Sequence, residues 1–113
     1  RKSDMIISGG VNIYPAEIEC EMILHPKIGD VAVFGIPNED WGEEVKAVVE
    51  LLPGETPSEE LAEDIRAFCA DRIAKYKMPR TIDFTDQLPR EANGKLMKRK
   101  LRDPYWEGRD RAI

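Results

Sequence analysis

The residues of this chain best suited to chemistry lie in Leu88-Pro89-Arg90-Glu91-Ala92-Asn93-Gly94-Lys95 and its continuation Leu96-Met97-Lys98-Arg99-Lys100-Leu101-Arg102. A proline opens the stretch, an Asn-Gly pair readily accepts positive φ, and Lys95 stands at the mouth of a basic helical segment, so one ammonium is set on a tight turn. A compact positive charge on a flexible stem can meet an anion there, or stabilise negative charge as it develops in a reaction. Taken alone, the same Gly-Lys pattern also fits a solvated turn ahead of a surface helix.

Few other side chains compete for a catalytic role. His25 is the single histidine and sits before Pro26 at an expected helix end, which reads as a cap or loop residue. Cys20 and Cys69 are far apart, form no CxxC pair, and read as two buried thiols; no metal site is expected. Neither GxxxxGK[ST] nor GxGxxG occurs, so no Gly-rich loop of a recognised kind holds a nucleotide unaided. With 113 residues, 35% charged, and a net charge of −5, the chain reads as one soluble acidic domain without attraction for nucleic acid or anionic membrane. It has no run of 18 or more apolar residues, and its charged N-terminus enters a patterned segment at once. Neither a membrane span nor a signal peptide is expected, and the location implied is cytoplasmic.

The elements that must position Lys95 follow from patterning. Met5-Ile6-Ile7, Ser8-Gly9-Gly10 and Val11-Asn12-Ile13-Tyr14 read as a β-hairpin, and Pro15 starts a helix with Glu17, Glu19 and Glu21 pointing mostly outward and an end near Leu24-His25-Pro26. Val31 to Ile36 is a near-continuous apolar run that fits a strand covered on both faces. After a connection over Pro37 to Glu44, Val45, Ala47, Val49 and Leu51 alternate with Lys46 and Glu50 as a half-buried strand pairing antiparallel with its predecessor. Thr56-Pro57-Ser58-Glu59 has the form of a capping box with proline at the first helical position, followed by Leu61, Ile65, Phe68, Cys69 and Ile73 along one helix face. Lys75 to Arg80 is a basic loop, Thr81 to Phe84 a further strand, and Leu96 to Arg102 a short helix. The sum is an α+β domain with a small three-stranded sheet flanked by helices and an N-terminal β-hairpin. It divides into hinge and hairpin (1–14), body (15–102) and a polar tail (103–113) from which Tyr105 and Trp106 can pack back.

Arg1 to Glu19, with Ile6-Ile7-Ser8-Gly9-Gly10-Val11-Asn12-Ile13-Tyr14-Pro15 at its centre, resembles the hinge segment that opens the C-terminal domain of AMP-forming acyl-CoA synthetases, in the adenylate-forming ligase superfamily. Leu88-Pro89 through Gly94-Lys95, with Lys98-Arg99 and Leu101-Arg102, resembles the catalytic-lysine motif that closes the same domain, and Pro37, Trp41, Gly42-Glu43 and Tyr76-Lys77-Met78-Pro79 fall where that domain has them. The resemblance implies a two-step reaction. A carboxylate and ATP, handled with Mg2+, give an acyl-adenylate and pyrophosphate, and the thiol of coenzyme A then displaces AMP. A large N-terminal domain, not represented here, would hold ATP and a carboxylic acid, fatty acids being the class indicated, and the isolated small domain would be inactive.

The resemblance also assigns residues. Lys95 would be the adenylation lysine, Arg1 would contact the nucleotide ribose, and Gly9 and Gly10 would line the pantetheine channel, with Lys77 and Arg80 among the basic residues available to coenzyme A phosphates. Ser3 falls at the hinge position where the family usually has aspartate or lysine, so bending is either centred there or spread over Lys2, Ser3 and Asp4. Pro89 and Gly94-Lys95 match the setting in which a lysine acetyltransferase switches related synthetases off. When such a lid turns, the lysine would leave and the face bearing Gly9 and Gly10 would replace it, and the Lys95 amine is expected at the surface, close to the face shared by the glycine pair and the N-terminal arm; a buried or remote amine would leave the ligase account without a mechanical basis. Two other readings share parts of the pattern: a docking module that kept the fold without catalysis, and the adenylation domain of a peptide synthetase, which the Ile-Ile-Ser-Gly-Gly segment and the lack of a carrier segment after Ile113 disfavour.

Overall fold

The computed structural model describes residues 5–107. In chain order the elements are β1 (Ile6–Ser8), β2 (Val11–Ile13), α1 (Pro15–Met22), β3 (Ile28–Asn38), β4 (Gly42–Leu51), α2 (Glu59–Ala70), a 3-10 turn (Lys75–Lys77), β5 (Thr81–Thr85) and α3 (Lys98–Trp106). β1 and β2 pair as an antiparallel hairpin. β3, β4 and β5 form a sheet in that order, β3 antiparallel to β4 and β4 parallel to β5. The parallel pair requires a crossover, which α2 supplies.

Alternation along β3 and β4 generates two cores rather than one. Val31 and Val33 of β3, with Val45, Ala47 and Val49 of β4, face Ile6 and Ile13 of the hairpin, Ile18 and Met22 of α1, and Leu61, Ile65 and Cys69 of α2. Ala32, Phe34 and Val48 point the other way, against Leu88, Leu96 and Leu101. The apolar run in β3 is therefore buried on both sides, as its composition indicated. The polar partners on the second face are drawn in as well. Lys46 is buried but paired, its Nζ 2.8 Å from Asp83 Oδ2 and 5.3 Å from the centre of the Tyr105 ring.

Several local expectations are corrected. The cap of α2 is Ser58, not Thr56: its side chain accepts from the Leu61 N–H at 3.0 Å, and Pro57 precedes the helix instead of opening it. The connection between β3 and β4 is shorter than the patterning indicated, because Pro37, Asn38, Glu43 and Glu44 pair across the strands. The basic segment after α2 begins with a 3-10 turn. The helix after Lys95 starts at Lys98 rather than Leu96 and continues through Pro104 to Trp106 rather than ending at Arg102. Packing outweighs the proline there: Trp106 Nε1 donates to the Gly35 carbonyl at 3.0 Å, and Tyr105 lies 6.3 Å from Phe34, ring centre to ring centre. The α1 glutamates are not idle on the outside either, since Glu17, Glu19 and Glu21 pair with Lys77, Lys98 and Arg72.

His25 is buried in the turn after α1. Its Nδ1 accepts from the Lys27 N–H at 3.1 Å, its Nε2 lies 2.8 Å from Asp64 Oδ2, and its ring meets Phe68 edge to face. It ties α1 to α2, a structural role. Of the two thiols only Cys69 is buried; Cys20 is exposed, because α1 turns Pro15, Ile18 and Met22 inward and leaves position 20 on the opposite side. Burial pushes the Cys69 thiol above its ordinary range. At about pH 8 a disulfide reagent is expected to modify Cys20 promptly and Cys69 only as fast as the domain opens, whereas equal rates would contradict this burial.

Candidate functional site

Lys95 is exposed at the tip of a turn that the backbone closes tightly. Arg90 and Leu96 form an antiparallel bridge, the Glu91 N–H donates to the Lys95 carbonyl at 2.8 Å, and the Gly94 N–H donates to the Glu91 carbonyl at 2.8 Å. Gly94 has φ +88°, which a side chain would disfavour. The Lys95 N–H donates to Asn93 Oδ1 at 3.0 Å, so the asparagine shapes the turn through its side chain. Among the described residues the Lys95 ammonium has no ion-pair partner. Leu88 and Leu96, on either flank of the loop, sink into the second core and hold its base.

The glycine pair sits elsewhere. Gly9 and Gly10, with φ +59° and +83°, occupy the two central positions of the hairpin turn between Ser8 and Val11, the signs a two-residue type I′ loop demands. A Cβ on either would meet nothing within 4 Å, so the backbone there is open to an approaching group. The Gly9 N–H donates to the Trp41 carbonyl at 2.9 Å, which fixes the hairpin beside the β3–β4 turn.

Next to it lies a cleft of about 340 Å³ bordered by Gly9, Trp41, Lys75, Tyr76, Met78 and Arg80. The Arg80 guanidinium stacks over Trp41 at 3.9 Å from the ring centre, and the indole and the Tyr76 ring are 44% and 57% exposed. Such a mouth suits a ligand that has both a flat ring and anionic groups.

The site residues named from sequence therefore divide. Gly9 and Arg80 come together at the cleft, and Gly10 shapes the turn beside it. Lys77 is held away: its Nζ lies 2.9 Å from both Glu17 carboxylate oxygens, which keep its ammonium above the ordinary lysine range. Arg1, Ser3 and Asp4 lie outside the described residues. Trp41 and Tyr76 were not singled out as site residues, although large aromatics in a connection and a basic loop are themselves a signal of binding.

The turn and the cleft lie toward opposite ends of β3 and β4. Arg90 pairs with Asp30 near the start of β3, whereas Trp41 follows its far end at Asn38. Eight residues of strand separate these points, roughly 26 Å at the usual rise. The expected proximity is thus corrected: the amine is exposed, but at the end of β3 and β4 opposite the glycine hairpin.

Among the described residues no three His, Cys, Asp or Glu side chains gather as a metal site, and no helix is long and apolar enough to cross a membrane.

The chain is 48% identical over 102 residues to a 2-succinylbenzoate–CoA ligase of Geobacillus kaustophilus, covering 90% of this chain and 20% of that protein. It is 43% identical over 105 residues to the long-chain-fatty-acid–CoA ligase FadD13 of Mycobacterium tuberculosis, covering 93% and 20%. The fold superposes on ATP-bound MatB from Rhodopseudomonas palustris with a TM-score of 0.84 and 39% identity, covering 95% of this chain and 21% of that one. The chain thus spans about a fifth of the length of the curated relatives it matches. Residues 17–95 match the AMP-binding enzyme C-terminal domain, and the chain belongs to that family.

Proposed function

We propose that this chain is the mobile C-terminal domain of an AMP-forming, ATP-dependent acyl-CoA ligase acting on fatty acids, and that it serves the two half-reactions with its two opposite ends. The observation that supports this reading most is the exposed Lys95 on a closed turn, set apart from an equally exposed glycine hairpin and aromatic cleft. Adenylation brings an anionic carboxylate against an anionic α-phosphate. A lysine ammonium between the reacting oxygens offsets the charge that accumulates there, and the effect grows once closure excludes water. With the domain turned, the lysine withdraws and the other end can receive coenzyme A. Gly9 and Gly10 leave backbone room for the pantetheine arm, and Trp41 and Arg80 offer an aromatic face and a cation to its nucleotide. The separation departs from the shared face expected from sequence, and a lid that turns accommodates it, since only one end occupies the reaction centre at a time.

Further parts of the reading concern partners. The rest of the ligase would hold ATP and the acid. Mg2+ would arrive with the nucleotide, held by its phosphates and by the rest of the ligase. Ser3 and Asp4 would carry the hinge and Arg1 the ribose contact. An acetyltransferase acting on Lys95 would stop the first step by removing its charge, so Lys95→Gln belongs beside Lys95→Ala in any test.

A full-length ligase carrying this domain, assayed with fatty acids of increasing chain length, tests the assignment of the cleft. Trp41→Ala is expected to raise KM for coenzyme A about tenfold, the scale of one lost aromatic contact, while pyrophosphate release in the first step is unchanged. An unaltered KM for coenzyme A together with slowed adenylation would overturn it.

A further inference from the structure

Arg90 and Asp30 have no place in the chemistry described so far, yet they converge on the turn that presents Lys95. The Arg90 guanidinium divides its two terminal nitrogens between two acceptors: Nη2 pairs with Asp30 Oδ2, and Nη1 donates to the Gly94 carbonyl at 2.6 Å. Gly94 is the residue immediately before the lysine. Asp30 belongs to β3, a strand covered on both faces over Val31 to Phe34, and its side chain is only 25% exposed, so one end of this connection is seated on the sheet.

The other flank of the turn is tied to the same strand by a second carboxylate. Lys98 Nζ lies 2.9 Å from Glu19 Oε2, and that same oxygen accepts from the Val33 N–H at 2.8 Å. Between the two ties, the Met97 N–H donates to the Pro89 carbonyl at 2.8 Å and closes the base of the loop.

We propose that Arg90, seated on Asp30, is a positioning residue for Lys95: through the Gly94 carbonyl it fixes where the lysine leaves the turn, so that the ammonium arrives in place without a loop having to order first. The proposal rests on the adenylation role given to Lys95 above. The planar fork of arginine matters, because one group must reach a carboxylate and a backbone carbonyl at once, which a point-like ammonium does less well. The pair is neutral overall and contributes little field of its own. Its effect is geometric, and a misplacement of about 1 Å at a reacting centre costs on the order of a hundredfold.

The test uses the full-length ligase with both half-reactions measured separately. Arg90→Gln and Asp30→Asn are each expected to lower kcat for adenylate formation by about ten- to a hundredfold, with KM for ATP and acid, and thioester formation from supplied acyl-adenylate, held within about twofold. The double variant is expected to be no slower than the slower single one, because the two residues act as one unit, and Arg90→Lys to recover part of the rate. Adenylation within about twofold of the parent in both single variants, or equal loss in both steps, would overturn the positioning role. Lys95→Ala in the same background separates the two levels. If it slows adenylation while Arg90→Gln does not, the positioning role alone fails; if it leaves adenylation intact, the adenylation reading fails and takes the positioning role with it.

Discussion

Replacing Lys95 by alanine in a full-length ligase carrying this domain is expected to slow acyl-adenylate formation by about a hundred- to a thousandfold, measured as pyrophosphate release under saturating ATP and acid. The magnitude is that of removing one preorganised charge or donor from a developing anion in a water-excluded site. Stability of the domain is expected to be unchanged, because the side chain is exposed and makes no ion pair among the described residues. Lys95→Gln should behave like alanine, since length without charge does not serve the role. Lys95→Arg should recover only part of the rate, because a broad planar cation does not replace a point charge between two oxygens. Adenylation within about threefold of the parent in the alanine variant would remove the lysine from the chemistry.

Phe34→Ala carries the second large effect, this time on the fold. Phe34 is fully buried, and on its side of the sheet it meets Leu88, Leu96 and Leu101. Tyr105 of α3 packs beside it. Truncating it is expected to destabilise the domain by about 3–5 kcal/mol, through lost transfer free energy and the cavity left behind. Chemical denaturation checks the size. Hydrogen exchange checks the place: protection should fall first in 88–97 and α3, and less in α2, which packs on the other face. Uniform loss across both layers would show that the two cores are not separable in this way.

The sequence made some of this legible and concealed the rest for identifiable reasons. The β3 run was readable because an apolar stretch without alternation has to be covered on both sides, and Val31, Ala32, Val33 and Phe34 divide between the two cores in turn. The α1 pattern holds the exposure of Cys20 in its spacing, since position 20 lies opposite Ile18 on a helix. Reading the thiol as buried gave weight to residue type over periodicity. The length of α3 was hidden by Pro104, a residue that ordinarily stops a helix. What overrides it is the docking of Tyr105 and Trp106 on β3 and β4, and tertiary contacts of that kind leave no local mark.

At the site, the turn around Lys95 was legible because Pro, Asn and Gly have conformational preferences that need no context. Its distance from the glycine hairpin was not, because it depends on which end of a folded strand each loop joins. Arg80 could be named as a cation, but its stacking on Trp41 joins residues thirty-nine positions apart. The same is true of Glu17, which occupies Lys77 from a different element.

In the proposed scheme one lysine serves the first half-reaction and leaves before the second. Its most direct test is the rate of thioester formation from supplied acyl-adenylate and coenzyme A by the Lys95→Ala enzyme, in the same preparation that has lost adenylation. A rate within about twofold of the parent is the predicted result. A loss as large as that in the first step would mean that the lysine acts in both half-reactions.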